Sequence, residues 1–137
     1  MKLYHGTDNA NAKIKPVKEG LGYHPGAGPV EFLGPSFSDS EKVARSYGKN
    51  IIELELTPNK PKKFRSLKSL RNNIIKTFGL PTSGRNLGEY YRDIADSYRA
   101  KLLAEGYDAV TFPEGIKRST DKQISTTVIP LSDNFYK

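Results

Sequence analysis

The period of hydrophobic and polar positions changes several times along the chain, and each change marks an element. Leu3 and Tyr4 read as a short buried strand that runs straight into His5 and Gly6. Residues 8–18 are polar and include Pro16, which predicts a loop or a short helical turn. The run 19–29 is too rich in glycine and proline for a regular helix or a central strand, so it predicts a long loop. Short apolar pieces, 30–33 and 36–37, flank Gly34-Pro35. Ser38 and Glu41 then stand three apart as a capping box, opening a helix over 41–47 that buries Val43, Ala44 and Tyr47 and stops at Gly48. From 51 to 56 the pattern alternates, with Ile52, Leu54 and Leu56 inward and Glu53 and Glu55 outward, as in a half-exposed strand.

The second half is more helical. Leu67, Leu70, Ile74, Ile75 and Phe78 recur at helical spacing and predict a helix over 66–78, closed by Gly79 and Pro81. Residues 82–86 read as a loop. The longest helical pattern covers 87–105, with a stripe of Leu87, Tyr91, Ile94, Tyr98 and Leu102 and a terminating Gly106. The pair Tyr90-Tyr91 falls at core-facing spacing and reads as packing rather than a stacking platform. A strand over 109–112, a polar hairpin or loop over 113–121 and a last strand over 126–129 complete the pattern. The class this implies is α+β, a single domain over 1–137 with short, mostly antiparallel strands and helices to the side.

Composition narrows the setting. The chain has 36% hydrophobic and 27% charged residues of both signs, as a globular domain has and a disordered one lacks. No apolar run reaches the ~20 residues that span a bilayer, and the first residues lack the apolar core of a signal peptide. With no cysteine there is neither a disulfide framework nor a cysteine-ligated metal, so a cytoplasmic protein without a metal or a membrane partner is expected. The formal charge of +7 favours anionic partners such as nucleic acid, dinucleotides or acidic proteins, although solubility alone is an ordinary reason for it. The most basic stretch is 60–76, with Lys60, Lys62, Lys63, Arg65, Lys68 and Arg71. A solvated helix face is its simplest reading.

Candidate chemistry centres on His5-Gly6-Thr7. An imidazole at a strand end is followed by a residue without a Cβ, against whose backbone a flat ligand can lie. Alone, such a histidine is more often a structural hydrogen-bonder. The order of parts says more: Tyr4-His5-Gly6-Thr7, a glycine-rich loop, Gly34-Pro35-Ser36-Phe37-Ser38-Asp39 opening a helix that ends at Tyr47, then Gly106-Tyr107-Asp108-Ala109-Val110 and a closing strand. Over almost the whole chain this resembles the ADP-ribosyltransferase fold, in the histidine-tyrosine-glutamate branch that diphtheria-type toxins share with the poly(ADP-ribose) polymerases. The least diagnostic part is 58–104.

The resemblance implies two small, mostly antiparallel sheets forming an NAD cleft with flanking helices. It assigns His5 to the ribose hydroxyls of NAD, the Gly6 backbone to the nicotinamide carboxamide, Thr7 to an added hydroxyl nearby and Tyr47 to the face of the nicotinamide ring. Ser36 and Phe37 complete the binding segment. Two positions depart from the family. Ser36 stands where the polymerases have a second tyrosine, a place that Tyr23 or Phe32 would have to fill. The glutamate expected at the start of the closing strand is replaced by Ser125, with Gln123 two residues earlier on the same face and Glu114 in the preceding loop. Neither Ser125 nor Gln123 can supply a carboxylate's charge.

The implied activity is mono-ADP-ribosyl transfer rather than chain-forming polymerisation. Its acceptor is macromolecular, a protein before a nucleic acid, with 60–76 as the segment through which a nucleic acid would be guided. A toxin or phage effector acting in host cytoplasm is one setting for such a protein. Two alternatives stay open: an NAD-dependent RNA 2′-phosphotransferase, against which the start of this chain at the histidine strand counts, and a non-catalytic module that keeps the fold and binds NAD or a partner.

Overall fold

The structure is a computed structural model, and it describes residues 1–7, 28–80, 86–114 and 125–132. The strands are β1 (Lys2–Thr7), β2 (Phe37–Ser38), β3 (Asn50–Glu55), β4 (Pro61–Lys63), β5 (Ala109–Glu114) and β6 (Ser125–Pro130). The helices are α1 (Glu41–Arg45), α2 (Leu67–Phe78) and α3 (Leu87–Ala104), with a 3-10 turn at Glu31–Leu33. The α+β class is as expected. The two small sheets are not: the strands form one six-stranded sheet in the order β3-β1-β2-β6-β5-β4, antiparallel except for β4 beside β5.

That sheet has a waist. β1 and β3 pair over six positions, and so do β5 and β6. Between them stands β2, two residues long, which meets β1 only at Tyr4↔Ser38 and β6 at Phe37↔Val128 and Ser38↔Thr127. Gly34-Pro35 precedes β2 and limits its length, since proline cannot extend a central ladder. Asp39 reinforces the narrow join: its N–H donates to the Thr126 carbonyl at 3.1 Å, and its Oδ1 accepts from the Thr126 N–H at 2.9 Å.

The core divides at the same place. α2 and α3 lay Leu70, Ile74, Ile94, Ala95, Tyr98 and Leu102 over Val110, Phe112, Ile129 and Leu131, and burial of each large aliphatic or aromatic chain contributes about 1.5–3 kcal/mol. A smaller cluster joins Leu3, Phe37, Leu56, Ala109 and Val128 across the waist. Tyr90 is buried and Tyr91 half-buried, so these rings are packing, as their spacing predicts. Ser66 caps α2 by accepting from the Ser69 N–H at 3.0 Å, and Gly79 ends it with φ at +87°, a conformation that costs glycine little.

Several local expectations are corrected. α1 is capped by Ser40, which accepts from the Val43 N–H, because Ser38 is drawn into β2 and its hydroxyl is engaged there. The helix ends at Arg45, two residues early, and Tyr47 lies beyond it, 49% exposed rather than inward. β1 does not stop before His5 but runs through Thr7, pairing His5↔Ile52 and Gly6↔Ile51. β4 carries no apolar alternation in sequence; it forms because the Asp108 carboxylate accepts from the N–H groups of Asn59 and Lys60, and Lys60 accepts from the Asp108 N–H. β5 reaches Glu114, so Pro113 and Glu114 belong to the ladder rather than to a loop. The loops expected over 8–18 and 82–85, most of 19–29, and the rest of 113–121 lie outside the described residues.

Candidate active site

Two adjoining cavities open at the waist, of about 430 and 240 Å³. Both are lined by His5, Ser36, Tyr47, Glu114 and Thr127. The larger also takes in Glu31, Leu67, Phe112 and Ile129, and it falls in the range of ~300–1,000 Å³ usual for small-molecule sites. The smaller is bounded by Gly6, Phe37, Ser38 and Ala44.

Glu114 is the centre of the polar groups. It ends β5 directly opposite Ser125, and alternation places Ser125 and Thr127 on one face of β6, with Ser38 opposite Thr127. The side chains interlock accordingly. The Thr127 hydroxyl donates to Glu114 Oε2 at 2.6 Å, and the Tyr47 hydroxyl donates to Glu114 Oε1. Ser125 Oγ donates to the Glu114 backbone carbonyl at 3.1 Å and accepts from Ser38 Oγ at 3.0 Å. Each carboxylate oxygen thus holds one hydroxyl and keeps one further lone pair for a ligand. Burial, followed by the hydrogen bond to Glu114 and its charge, pushes the Tyr47 hydroxyl well above the ordinary phenol range, so Tyr47 stays a donor.

His5 is fixed by the residue after the Gly-Pro pair. Its Nδ1 lies 2.7 Å from the Ser36 carbonyl oxygen, and a carbonyl can only accept, so Nδ1 carries the proton. In the neutral ring Nε2 is then an acceptor, suited to a ligand hydroxyl. The imidazole also packs against Phe37, with centroids 5.6 Å apart. The 3-10 turn that contributes Glu31 and Val30 to the larger cavity is held by Arg99 of α3. Arg99 donates to the Phe32 carbonyl at 2.7 Å and, through two nitrogens, to the Leu33 carbonyl at 3.0 and 2.8 Å.

The structure brings His5, Ser36 and Tyr47 together around both cavities, and it places the other candidates differently. Gly6 lines the smaller cavity, but its missing Cβ serves packing: a Cβ there would sit 1.8 Å from the Ala44 carbonyl oxygen. Phe37 is buried in the waist cluster. Thr7 pairs with Asn50 and lines neither cavity. Ser125 is buried and lines neither cavity; its hydroxyl is spent on the Glu114 backbone carbonyl and on Ser38, so it ties down the strand end that carries Glu114 rather than meeting a ligand. Gln123 and Tyr23 lie outside the described residues. Phe32 is buried in the main core with Arg92 over its ring, so it offers no stacking face to the cavity. Glu114 is the residue whose place the sequence left open. The signal that finds it is register: pairing Val110 with Ile129 puts Glu114 opposite Ser125.

Among the described residues no group of three or more His, Asp or Glu could hold a metal ion, and no helix is long and apolar enough to cross a membrane. Comparison with protein-family models, curated proteins and solved structures finds no match to this chain.

Proposed function

We propose that this chain is a mono-ADP-ribosyltransferase: it binds NAD as a substrate, releases nicotinamide and transfers ADP-ribose to a macromolecular acceptor. The observation that carries this reading is the convergence of His5, Tyr47 and Glu114 on one pair of cavities, with the carboxylate one strand away from where the family keeps it. Glu114 replaces across the ladder the charge that Ser125 lacks.

In this reading His5 Nε2 accepts from a ribose hydroxyl, and Tyr47 borders the nicotinamide. The bond between C1′ of the ribose and the nicotinamide nitrogen breaks, and nicotinamide leaves with the bonding pair. The positive charge that develops on the ribose faces Glu114, whose attraction for a cation 4 Å away is about 4 kcal/mol at the effective dielectric of a protein surface. The acceptor nucleophile then bonds to C1′ and gives its proton to the Glu114 carboxylate. Two hydroxyl donors hold that carboxylate in place before substrate arrives, so little reorganisation is needed during the reaction. NAD is a cytoplasmic metabolite, which sets the activity in the cytoplasm of the producing cell or of a host.

The test is incubation with NAD labelled on the adenylate and cell lysate, comparing wild type with His5→Ala and Glu114→Gln. Label on a macromolecule and free nicotinamide are expected from wild type, with both reduced on the order of a hundredfold or more in Glu114→Gln, as for loss of a preorganised charge. His5→Ala should weaken NAD binding. Wild type that releases no nicotinamide and labels nothing would refute the transferase reading.

A further inference from the structure

The excess positive charge of this protein falls in one stretch of its sequence. Residues 56–88 contain eight Lys and Arg and no Asp or Glu, while the remainder of the chain carries fourteen against fifteen. The stretch forms β4, the bend after it and α2. Lys63, Arg65, Lys68 and Arg71 are exposed along nine residues that turn from the sheet edge into the helix, and among the described residues none has a carboxylate within ion-pair distance. Lys60 and Lys62 lie beside them, each with Nζ within about 5 Å of the centroid of the Tyr107 ring.

Two ordinary explanations fall short. Lysines on an edge strand discourage unwanted pairing, which accounts for Lys62 and Lys63 on β4 but not for the cations that follow. A solvated helix face normally mixes signs, as α3 does with Glu89, Asp93 and Asp96 beside Arg92, Arg99 and Lys101. α2 carries one sign only. Its first residue, Leu67, is exposed and forms part of the wall of the larger cavity with Phe112 and Glu114. The basic track therefore runs past the wall of the candidate site at Leu67.

We infer that β4 and the start of α2 bind the phosphate backbone of a single-stranded nucleic acid and lead it to that cavity. A row of unpaired cations suits a regular polyanion, and partly exposed Tyr107 and Phe64 among the lysines suit unstacked bases. A single strand is required because a base held in a duplex cannot enter a cavity of about 430 Å³. The docking surface stands without any reading of the cavity; that the strand is the ADP-ribose acceptor rests on the function proposed above.

The test measures binding without NAD, so its failure is separate from failure of the transferase reading. Fluorescence anisotropy of labelled oligothymidine and oligouridine is recorded against salt for wild type and two variants of equal net charge. One carries Lys63→Gln, Arg65→Gln, Lys68→Gln and Arg71→Gln; the other carries Lys2→Gln, Lys42→Gln, Arg45→Gln and Lys49→Gln. The first should lose about tenfold or more in affinity, and its slope of log K against log salt should flatten by about 3, at roughly 0.7 per lost phosphate contact. The second should stay within about twofold of wild type. Thermal melting checks folding, and if the first variant melts early the pair Lys68→Gln and Arg71→Gln replaces it, with a slope change of about 1.4. Equal losses in both variants would overturn the inference, as would absence of binding, or displacement of the oligonucleotide by polyglutamate at equal charge, which would mark the partner as an acidic protein.

Discussion

Substituting Gly6 with alanine separates two accounts of why the residue after His5 is a glycine. If the missing Cβ made room for a ligand, Gly6→Ala would fold normally and lose only binding. The structure gives the space to α1: the new Cβ would sit 1.8 Å from the Ala44 carbonyl oxygen, 2.8 Å from its carbon and 3.2 Å from the Gly48 nitrogen. Ordinary contact lies near ~3.5 Å, so the end of α1 must retreat by about 1.7 Å. All three atoms are backbone and cannot swing aside. Overpacking of this kind costs about 1–3 kcal/mol, and a backbone obstacle belongs at the upper end. Gly6 is not among the glycines of positive φ, so alanine itself suffers no dihedral strain and returns about 0.4–1 kcal/mol through a less flexible unfolded chain. The net loss is about 2 kcal/mol, or roughly 6–10 °C in midpoint for a domain of this size. Thermal unfolding of the ligand-free protein measures it. A midpoint unchanged from wild type would refute the packing account and restore the ligand reading of Gly6.

Other consequences can be checked in parallel. Arg99→Leu should cost about 2–3 kcal/mol in urea denaturation because it strips the Phe32 and Leu33 carbonyls of their donors, and Arg99→Lys should recover less than half, since an ammonium cannot reproduce the fork. Thr127→Val removes one of the two hydroxyls that orient Glu114; it should lower the turnover of the proposed transfer reaction about tenfold while reducing the unfolding free energy measured in urea by no more than about 1 kcal/mol. Burial and then the Glu105 charge raise the Tyr98 hydroxyl from 10 to about 12. Between those values the unfolded chain has released a proton that the folded one retains, so stability is full below pH 10 and falls as pH rises toward 12. Denaturation midpoints across that window should decline, and more gently in Tyr98→Phe.

Much of the scaffold is legible in the sequence because local chemistry dictates it. α2 and α3 follow from apolar spacing, with their limits set by Ser66, Asn86 and glycines at 79 and 106, and they form within a residue or two of the pattern. The inward set of β3 follows from alternation. What the pattern misses is what depends on a partner strand. β4 has no alternation and exists because Asp108 supplies acceptors to its approach. β2 takes Ser38 away from its expected cap because the ladder to β6 outcompetes a helix terminus.

The site divides in the same way. The sequence nominated His5, Ser36 and Tyr47 for the candidate site, since their identities and their order along the chain are local facts, and the fold lines the same two cavities with all three. The sequence also determined that the start of the last strand carries Ser125 and no carboxylate. Only tertiary structure put the Glu114 carboxylate into those cavities beside Tyr47 and Thr127, because the direction of its side chain depends on the register between β5 and β6, and register is set by which apolar residues the two strands bury together. Tertiary structure likewise decided what Gly6 is for: the close approach of α1 to β1 is a contact between elements that no spacing along the chain announces.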